Sequence, residues 1–228
     1  MIDKSPLGFI DPDLVAWEPE AGIPGLFAKT LARDGASGSY TRLLKFLPGT
    51  NTSTAGVQSH DHLEELWLVE GAIFDLTLEQ NFTAGMYANR RYGMAHGPWV
   101  AAGGAITFEL RDQDPDQRIH KQQLEFFDPQ LQEWDAGEAG ADVHVKTLSS
   151  CPDTGAFGRL VKFSPGASKP GAKGERRRSE LWIVSGTLRG AEGQIAPAGS
   201  YGNLDIDLLD GTWTTAEGCL VFEVRNPI

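Results

Sequence analysis

The sequence is poor in cysteine, basic charge and long apolar runs, and each scarcity excludes a class of protein. Its two cysteines, Cys151 and Cys219, have no metal-type spacing and predict no disulfide framework. Lysine and arginine number 20 against 31 acidic residues, and the formal net charge of -11 disfavours binding to nucleic acid or to an anionic membrane. No stretch approaches the roughly 18 uncharged apolar residues of a membrane-spanning helix. The N-terminus has no basic segment followed by an apolar run, so we predict a soluble cytoplasmic protein.

Glycine and proline, in contrast, are abundant. The 228 residues include 27 glycines and 13 prolines, whereas glycine usually makes up about 7 % of a protein. These residues separate short apolar segments, and no long window has the 3.6-residue periodicity of an amphipathic helix. The pattern predicts an all-β fold, either a sandwich or a barrel. The strands expected in the first half of the chain are 39–47, 65–80, 86–91 and 104–111.

The sequence also contains an internal repeat, because four blocks recur in the same order with a spacing of 114 to 117 positions. The pairs of blocks are 9–14 with 126–131, 38–49 with 155–166, 65–71 with 180–186, and 108–111 with 222–225. Such self-similarity predicts two copies of one structural unit. We place the two domains at residues 1–115 and 116–228, with the polar segment 113–125 joining them.

Three of the five histidines, His60, His62 and His96, lie in the first copy. If residues 59–66 are extended, His60, His62 and Glu64 project from the same face of a strand. Two imidazoles and a carboxylate on one face form the outline of a chelate for a first-row transition metal, and His96 is the candidate for a further ligand. The alternative interpretation is a His-x-His pair on a solvated strand face, which is the more frequent case for an isolated pair.

The first copy resembles the cupin superfamily, whose first motif is Gly, then His-x-His, then Glu, and then Gly after six residues. Here Gly49 begins the motif, His60 and His62 provide the histidines, and six residues separate Glu64 from Gly71. The family usually has three or four residues between the second histidine and the glutamate, whereas this sequence has only one.

That departure leaves the ligand set open. Counting back by the family spacing selects Gln58 and His60 as the pair instead of His60 and His62. We prefer His60 and His62, because imidazole is a better ligand than an amide for a divalent transition metal. A site of three histidines without Glu64 is a further alternative.

The second cupin motif is Gly, five residues, Pro, one residue, Gly, two residues and His. Gly85, Gly93 and His96 match it in spacing, and Arg91 replaces the proline. The resemblance covers nearly the whole chain and implies two tandem jelly-roll-like β-barrels, a bicupin. We name Arg91 and Tyr87 as candidate catalytic residues because they flank His96 in this motif, although Tyr87 is matched by Tyr201 in the second copy.

The second copy provides an internal control for the histidines. The positions that align with His60, His62, Glu64 and His96 are Glu175, Arg177, Ser179 and Asp210. The repeated unit is therefore expected to fold without the chelate, which favours a functional role for the histidines of the first copy.

The pattern is most similar to the ChrR cupin-like domains and to cupin dioxygenases that cleave rings and diketones. This resemblance implies one divalent transition metal, with Fe2+ favoured and Zn2+, Mn2+ or Ni2+ as alternatives, because the ligand types do not choose among them. The expected function is that of a dioxygenase acting on a small oxygenated molecule, a diketone or hydroxyaryl ketone. The alternatives are a ChrR-like metal-binding sensor and a non-redox isomerase or lyase. Pairing of barrels into a homodimer is also plausible.

Overall fold

The computed structural model describes residues 8–136, 142–170, 178–205 and 208–226. Strands and turns make up nearly all of these residues, which confirms the predicted all-β fold class. The helical elements within these ranges are four short 3-10 turns, Pro12–Leu14, Ser53–Ala55, Pro129–Leu131 and Leu208–Asp210. No helix among the described residues is long and apolar enough to cross a membrane.

The first eleven strands are β1 Gly8–Ile10, β2 Glu18–Pro19, β3 Leu26–Arg33, β4 Tyr40–Phe46, β5 Thr50–Asn51, β6 Leu63–Asp75, β7 Gln80–Thr83, β8 Tyr87–Arg90, β9 Trp99–Ala101, β10 Ala105–Asp112 and β11 Leu124–Phe127. The remaining strands are β12 Asp135–Ala136, β13 Val143–Cys151, β14 Ala156–Phe163, β15 Ser168–Lys169, β16 Ser179–Gly190, β17 Ile195–Pro197, β18 Tyr201–Leu204, β19 Trp213–Thr214 and β20 Cys219–Arg225.

Two antiparallel ten-stranded arrangements with the same connectivity confirm the predicted duplication. The first has the order β11-β8-β6-β10-β4-β3-β2, and the second has the order β1-β18-β16-β20-β14-β13-β12. The long strands β6 and β16 each also pair with a second, smaller set of strands, namely β7 and β9 or β17 and β19. Each chain segment therefore forms a curved barrel around its own apolar core, which includes Leu66, Leu68 and Phe46 in the first barrel and Ile183, Val221 and Phe163 in the second.

The opening strand of each sequence repeat completes the other barrel. Strand β11 pairs with β8, and β1 pairs with β18. The two compact units are consequently Val15–Pro129 and, within the described residues, 8–14 with the chain from residue 130 onward. The boundary predicted at residue 115 falls inside the first unit, because β11 belongs to the first barrel by hydrogen bonding and to the second repeat by sequence.

The glycine that ends repeat block 65–71, and its counterpart at the end of block 180–186, are required by a close approach of two backbones. Gly71 has φ +78, and a Cβ placed on it would lie 2.1 Å from the carbonyl oxygen of Gly104. The equivalent Gly186 also has φ +78 and lies 2.0 Å, by the same measure, from the carbonyl oxygen of Gly218. No L side chain fits such a position, so the fold itself explains why both repeats keep this glycine.

Candidate metal centre

Backbone pairing brings the two histidine-bearing segments together. Gln58 and His96 form an isolated antiparallel bridge, in which each backbone N–H donates to the other residue's carbonyl oxygen at 2.9 Å. The backbone N–H of Gly93 donates to the carbonyl oxygen of His60 at 2.8 Å. The loop before β6 and the loop after β8 are thereby fixed side by side, with Glu64 near the start of β6.

His60, Glu64 and His96 bring three potential metal-ligating atoms to one point. The Nε2 atoms of His60 and His96 are 3.1 Å apart. Glu64 Oε2 lies 3.3 Å from His60 Nε2 and 3.8 Å from His96 Nε2. The side chains are 10 %, 0 % and 3 % exposed for His60, Glu64 and His96, so the group is removed from bulk water.

The protonation states of these groups suit a divalent cation. Burial, reinforced by the charge of Arg90, lowers the pKa of His96 to about 3, so its ring is neutral at physiological pH. Burial alone would raise the pKa of Glu64, but Arg111 and Arg90 outweigh it and hold this pKa well below its ordinary value. A neutral imidazole beside an ionised carboxylate is the form in which these residues bind metals. The residues present therefore fit the metal that the fold family implies.

Two arginines fix the carboxylate of Glu64. Arg90 Nη1 donates to Glu64 Oε2 at 2.6 Å, and Arg111 Nη2 lies 2.8 Å from Glu64 Oε1. Arg90 is fully buried and also donates through Nε to Glu125 at 2.8 Å. Because Glu125 lies on β11, the strand exchanged between repeats contributes to the surroundings of the site.

His62 lies beside this group but outside it. Its ring stacks on that of His60 with the centroids 3.8 Å apart, and its buried Nε2 has no hydrogen-bond partner among the described residues. Burial, together with the neighbouring His60, lowers the pKa of His62 to about 4. The condition under which His60, His62 and Glu64 would share one strand face, an extended segment 59–66, is not met. Strand β6 begins only at Leu63, and a bend at Asp61 and His62 turns the chain before it.

The alternative ligand Gln58 also lies outside the group. Its side-chain Nε2 donates to the carbonyl oxygens of Ala55 at 2.7 Å and Gly56 at 3.3 Å. These bonds direct the amide to its own loop, whereas the backbone of Gln58 holds His96 in place.

The structure does not bring the candidate catalytic residues Tyr87 and Arg91 to the site. The Tyr87 hydroxyl donates to Glu65, which also pairs with Lys121, and the equivalent Tyr201 donates to Glu180 at 2.6 Å in the second barrel. Arg91 is exposed, and its Nη2 lies 3.4 Å from the side chain of Gln123. Arg91 follows the end of β8, whereas the preceding residue Arg90 is the last residue of that strand and is fully buried.

Sequence reasoning missed Arg90, although comparison of the repeats contains the signal. In the first barrel Glu64 faces Arg90 across β6 and β8. At the matching place in the second barrel Ser179 faces Leu204. An ion pair that is absent from the copy without the metal-ligating group belongs with the site. The counterparts Glu175 and Arg177 of the two histidines lie outside the described residues.

Two cavities adjoin the group, one at each histidine. An inner cavity of about 270 Å3 reaches His96, and its walls include Tyr40, Arg42, Arg111 and Trp99. An outer cleft of about 670 Å3 reaches His60, and its walls include Tyr92 and Asp114. The group thus lies between an interior space suited to a small molecule and an opening toward the surface.

Comparison with known proteins agrees with the fold. Residues 122–228 match the family of the ChrR cupin-like domain, which places the match on the second repeat. A protein from Nostoc punctiforme, provisionally assigned as a dioxygenase, is 16 % identical and has a TM-score of 0.77 over 96 % of this chain and 82 % of its own. The whole chain therefore has the fold of these proteins, and its second repeat is similar to the ChrR cupin-like domain.

Other solved cupins show the same likeness in fold. A conserved cupin barrel protein from Leptotrichia buccalis is 12 % identical with a TM-score of 0.64 and 99 % coverage of both chains. A variant of the oxalate decarboxylase from Bacillus subtilis is 14 % identical with a TM-score of 0.61, covering 96 % of this chain and 77 % of the enzyme. None of the curated protein sequences matches this chain.

Proposed function

We propose that the N-terminal barrel binds one divalent transition metal through His60, Glu64 and His96 and acts as a dioxygenase on a small oxygenated organic molecule. The observation that supports this most directly is the convergence of the three side chains beside the inner cavity. The structural likeness to a protein provisionally assigned as a dioxygenase supports the reaction class. Diketones and hydroxyaryl ketones remain the proposed substrates.

The protein's own residues supply the environment for this chemistry. His60 and His96 present nitrogen lone pairs, and Arg90 and Arg111 keep Glu64 ionised and oriented. The apolar side of the inner cavity excludes water from the bound molecule. A bound metal would act as a template and Lewis acid in this setting. Fe2+ is favoured for oxygen chemistry, and Zn2+, Mn2+ and Ni2+ remain alternatives because the donor set accepts each of them.

A second candidate function is metal-dependent sensing. The match of residues 122–228 to the ChrR cupin-like domain favours it. A sensor would bind the metal and the small molecule without consuming oxygen. A non-redox isomerase or lyase would convert its substrate, also without oxygen.

Metal analysis and oxygen consumption test these proposals together. We expect protein purified without chelators to contain close to one equivalent of a transition metal. The Fe2+-loaded protein should consume oxygen with at least one member of a panel of diketones and hydroxyaryl ketones. His96→Ala should weaken metal binding by more than about 10-fold, since even the loss of an outer-shell partner costs about 10- to 100-fold.

His144→Ala is the matched control, because His144 lies on β13 of the barrel without the group. It should leave the metal affinity unchanged. Unaltered affinity in both His60→Ala and His96→Ala would contradict the metal site. Metal binding without oxygen consumption would contradict the dioxygenase and favour the sensor or the non-redox enzyme.

A further inference from the structure

The inner cavity has one apolar side and one polar side. Ile23, Leu26, Leu44 and Phe46 form most of the apolar side. Its volume of about 270 Å3 is slightly below the usual range of about 300–1,000 Å3 for ligand pockets, so it suits a small molecule.

Three neighbouring side chains, Tyr40, Arg42 and Arg111, form the polar side. Tyr40 and Arg42 are two residues apart on β4, and Arg111 is opposite Tyr40 on β10. The guanidinium carbons of Arg42 and Arg111 lie 5.1 Å and 5.8 Å from the centre of the Tyr40 ring. The cross-strand register therefore places three hydrogen-bond donors in one small area.

Each of these side chains keeps a donor that no described residue uses. Arg42 donates through Nε to Glu109 and through Nη1 to Glu20, and its Nη2 donates to no described residue. Arg111 donates through Nε and Nη2 to Glu109, and its Nη2 also contacts Glu64. Its Nη1 donates to no described residue. The hydroxyl of Tyr40 donates to no described residue either. Unused donors that line a cavity are placed to bind an acceptor that comes from outside.

The charges around the cavity form one continuous chain of ion pairs, in which acidic and basic side chains alternate. In order, it consists of Glu20, Arg42, Glu109, Arg111, Glu64, Arg90 and Glu125. Its four carboxylates and three guanidinium groups have a net charge of -1. A divalent cation held by Glu64 and the histidines changes this net charge to +1, which a bound monoanion would neutralise.

The second barrel lacks this arrangement although it keeps part of the chain. Arg159 still pairs with Glu223 at 2.7 Å, as Arg42 pairs with Glu109. However, Phe157 replaces Tyr40, and Arg225 turns to the carbonyl oxygen of Gly155 at 2.9 Å and 2.5 Å. The unused donors therefore accompany the metal-ligating group and are not a general requirement of the barrel.

We propose that the inner cavity binds a small organic monoanion, such as a carboxylate with a short apolar chain, through Tyr40, Arg42 and Arg111. The inference rests on the proposed metal site and adds a class of anionic ligand to the ketones proposed above. The anionic oxygens accept from the three unused donors, and the apolar part contacts the opposite side of the cavity. Because metal and anion offset each other's charge, each raises the affinity for the other by the same factor.

Calorimetric titration with butyrate and its uncharged analogue butyramide tests the inference. We expect butyrate to bind Co2+-loaded protein at least tenfold more tightly than butyramide does, and at least tenfold more tightly than it binds metal-free protein. Tyr40→Phe, which copies the second barrel, should weaken butyrate binding about threefold to tenfold, the value of one hydrogen bond. The exposed Arg91→Gln is the matched control and should leave butyrate affinity unchanged.

The outcomes separate this inference from the proposed function. Failure of Co2+ to bind would overturn both. Binding of Co2+ with equal affinities for butyrate and butyramide would overturn only the monoanion site. Butyrate affinity that is the same in Tyr40→Phe and in the unaltered protein, with both equally stable to heat, would show that the anion contacts the metal alone, which also overturns the site.

Discussion

At the scale of single residues, the site depends on buried charges that hold one another in place. Arg90 is enclosed between Glu64 and Glu125 and has no exposed surface. A charge in that position is tolerated because two carboxylates surround it, and removing it takes away the Arg90 partner of Glu125 and leaves Glu64 with Arg111 alone. Arg90 is therefore a positioning residue that acts on the metal through Glu64.

We expect Arg90→Leu to destabilise the protein by about 3–5 kcal/mol, the usual cost of breaking a buried ion pair. The triple variant Glu64→Ser, Arg90→Leu and Glu125→Gln should be closer to the stability of the unaltered protein, because it removes Arg90 together with both of its carboxylate partners and introduces the Ser and Leu that face each other as Ser179 and Leu204 in the second barrel. Denaturant unfolding measures both. A triple variant less stable than Arg90→Leu alone would contradict this account.

At the scale of elements, two features shape the first barrel around the site. The close contact between Gly71 and Gly104 lets β6 and β10 pair through an irregularity at Ile106 and Thr107. The carboxylate of Asp75, at the end of β6, accepts from the backbone N–H of Gly97 at 2.8 Å and from Trp99 Nε1 at 2.7 Å. The residues beside His96 are thereby anchored to the end of β6.

Gly71→Ala should destabilise the protein far more than Gly85→Ala. Both glycines have positive φ, so each substitution carries backbone strain of about 1–3 kcal/mol. Only at Gly71 does the added methyl group also meet a backbone oxygen, since nothing lies within 4 Å of a Cβ at Gly85. Thermal unfolding of the two variants compares them, and equal losses of stability would refute the contact.

Asp75 gives the stability a dependence on acid pH. Burial raises the pKa of Asp75, but donation from Leu78, Gly97, Trp99 and Thr77 outweighs it and leaves this pKa below its ordinary value. The group therefore stabilises the fold above its unfolded pKa of about 3.9, and this contribution is lost as the pH falls through the folded pKa. Asp75→Asn should be less stable than the unaltered protein at pH 7, with a difference that shrinks below about pH 4. Urea unfolding at several pH values would show it, and a constant difference would disprove it.

The sequence was sufficient for several central strands but missed others, such as β3, and did not determine every side chain of the site. The expected strands 39–47 and 104–111 correspond to β4 and β10, because the apolar segments, the glycines that separate them and the internal repeat all indicated the same strands. His60, Glu64 and His96 were identified by type and spacing. The bend at Asp61 and His62 was not foreseen, because a single intervening residue does not show whether the chain continues or turns. Arg42 and Arg111 were missed because charges buried by cross-strand pairing resemble surface residues in a sequence.

At the scale of the whole molecule, the two repeats in sequence are not the two units in space. In each barrel, one edge strand of the sheet comes from the other repeat. Homodimer formation and the identity of a partner remain predictions. The exchange itself has a direct consequence for where the chain can be divided.

A fragment of residues 15–129 should be more stable than one of residues 15–115. Only the longer fragment contains β11, which pairs with β8 and carries the Glu125 partner of Arg90. In the shorter fragment β8 is an unpaired edge strand, which promotes aggregation. Arg90 also has one carboxylate partner fewer in that fragment. Circular dichroism melting of both fragments tests this, and indistinguishable melting temperatures would contradict it.

The position of β1 also affects how the protein emerges during synthesis. Ile10 leaves the ribosome long before its partner Tyr201. The first barrel can complete its sheet once translation has passed β11, whereas β1 waits for β18 before it can pair. A nascent chain therefore carries β1 as an unpaired apolar strand throughout the synthesis of the first barrel, and the second barrel closes only after β18 has been made.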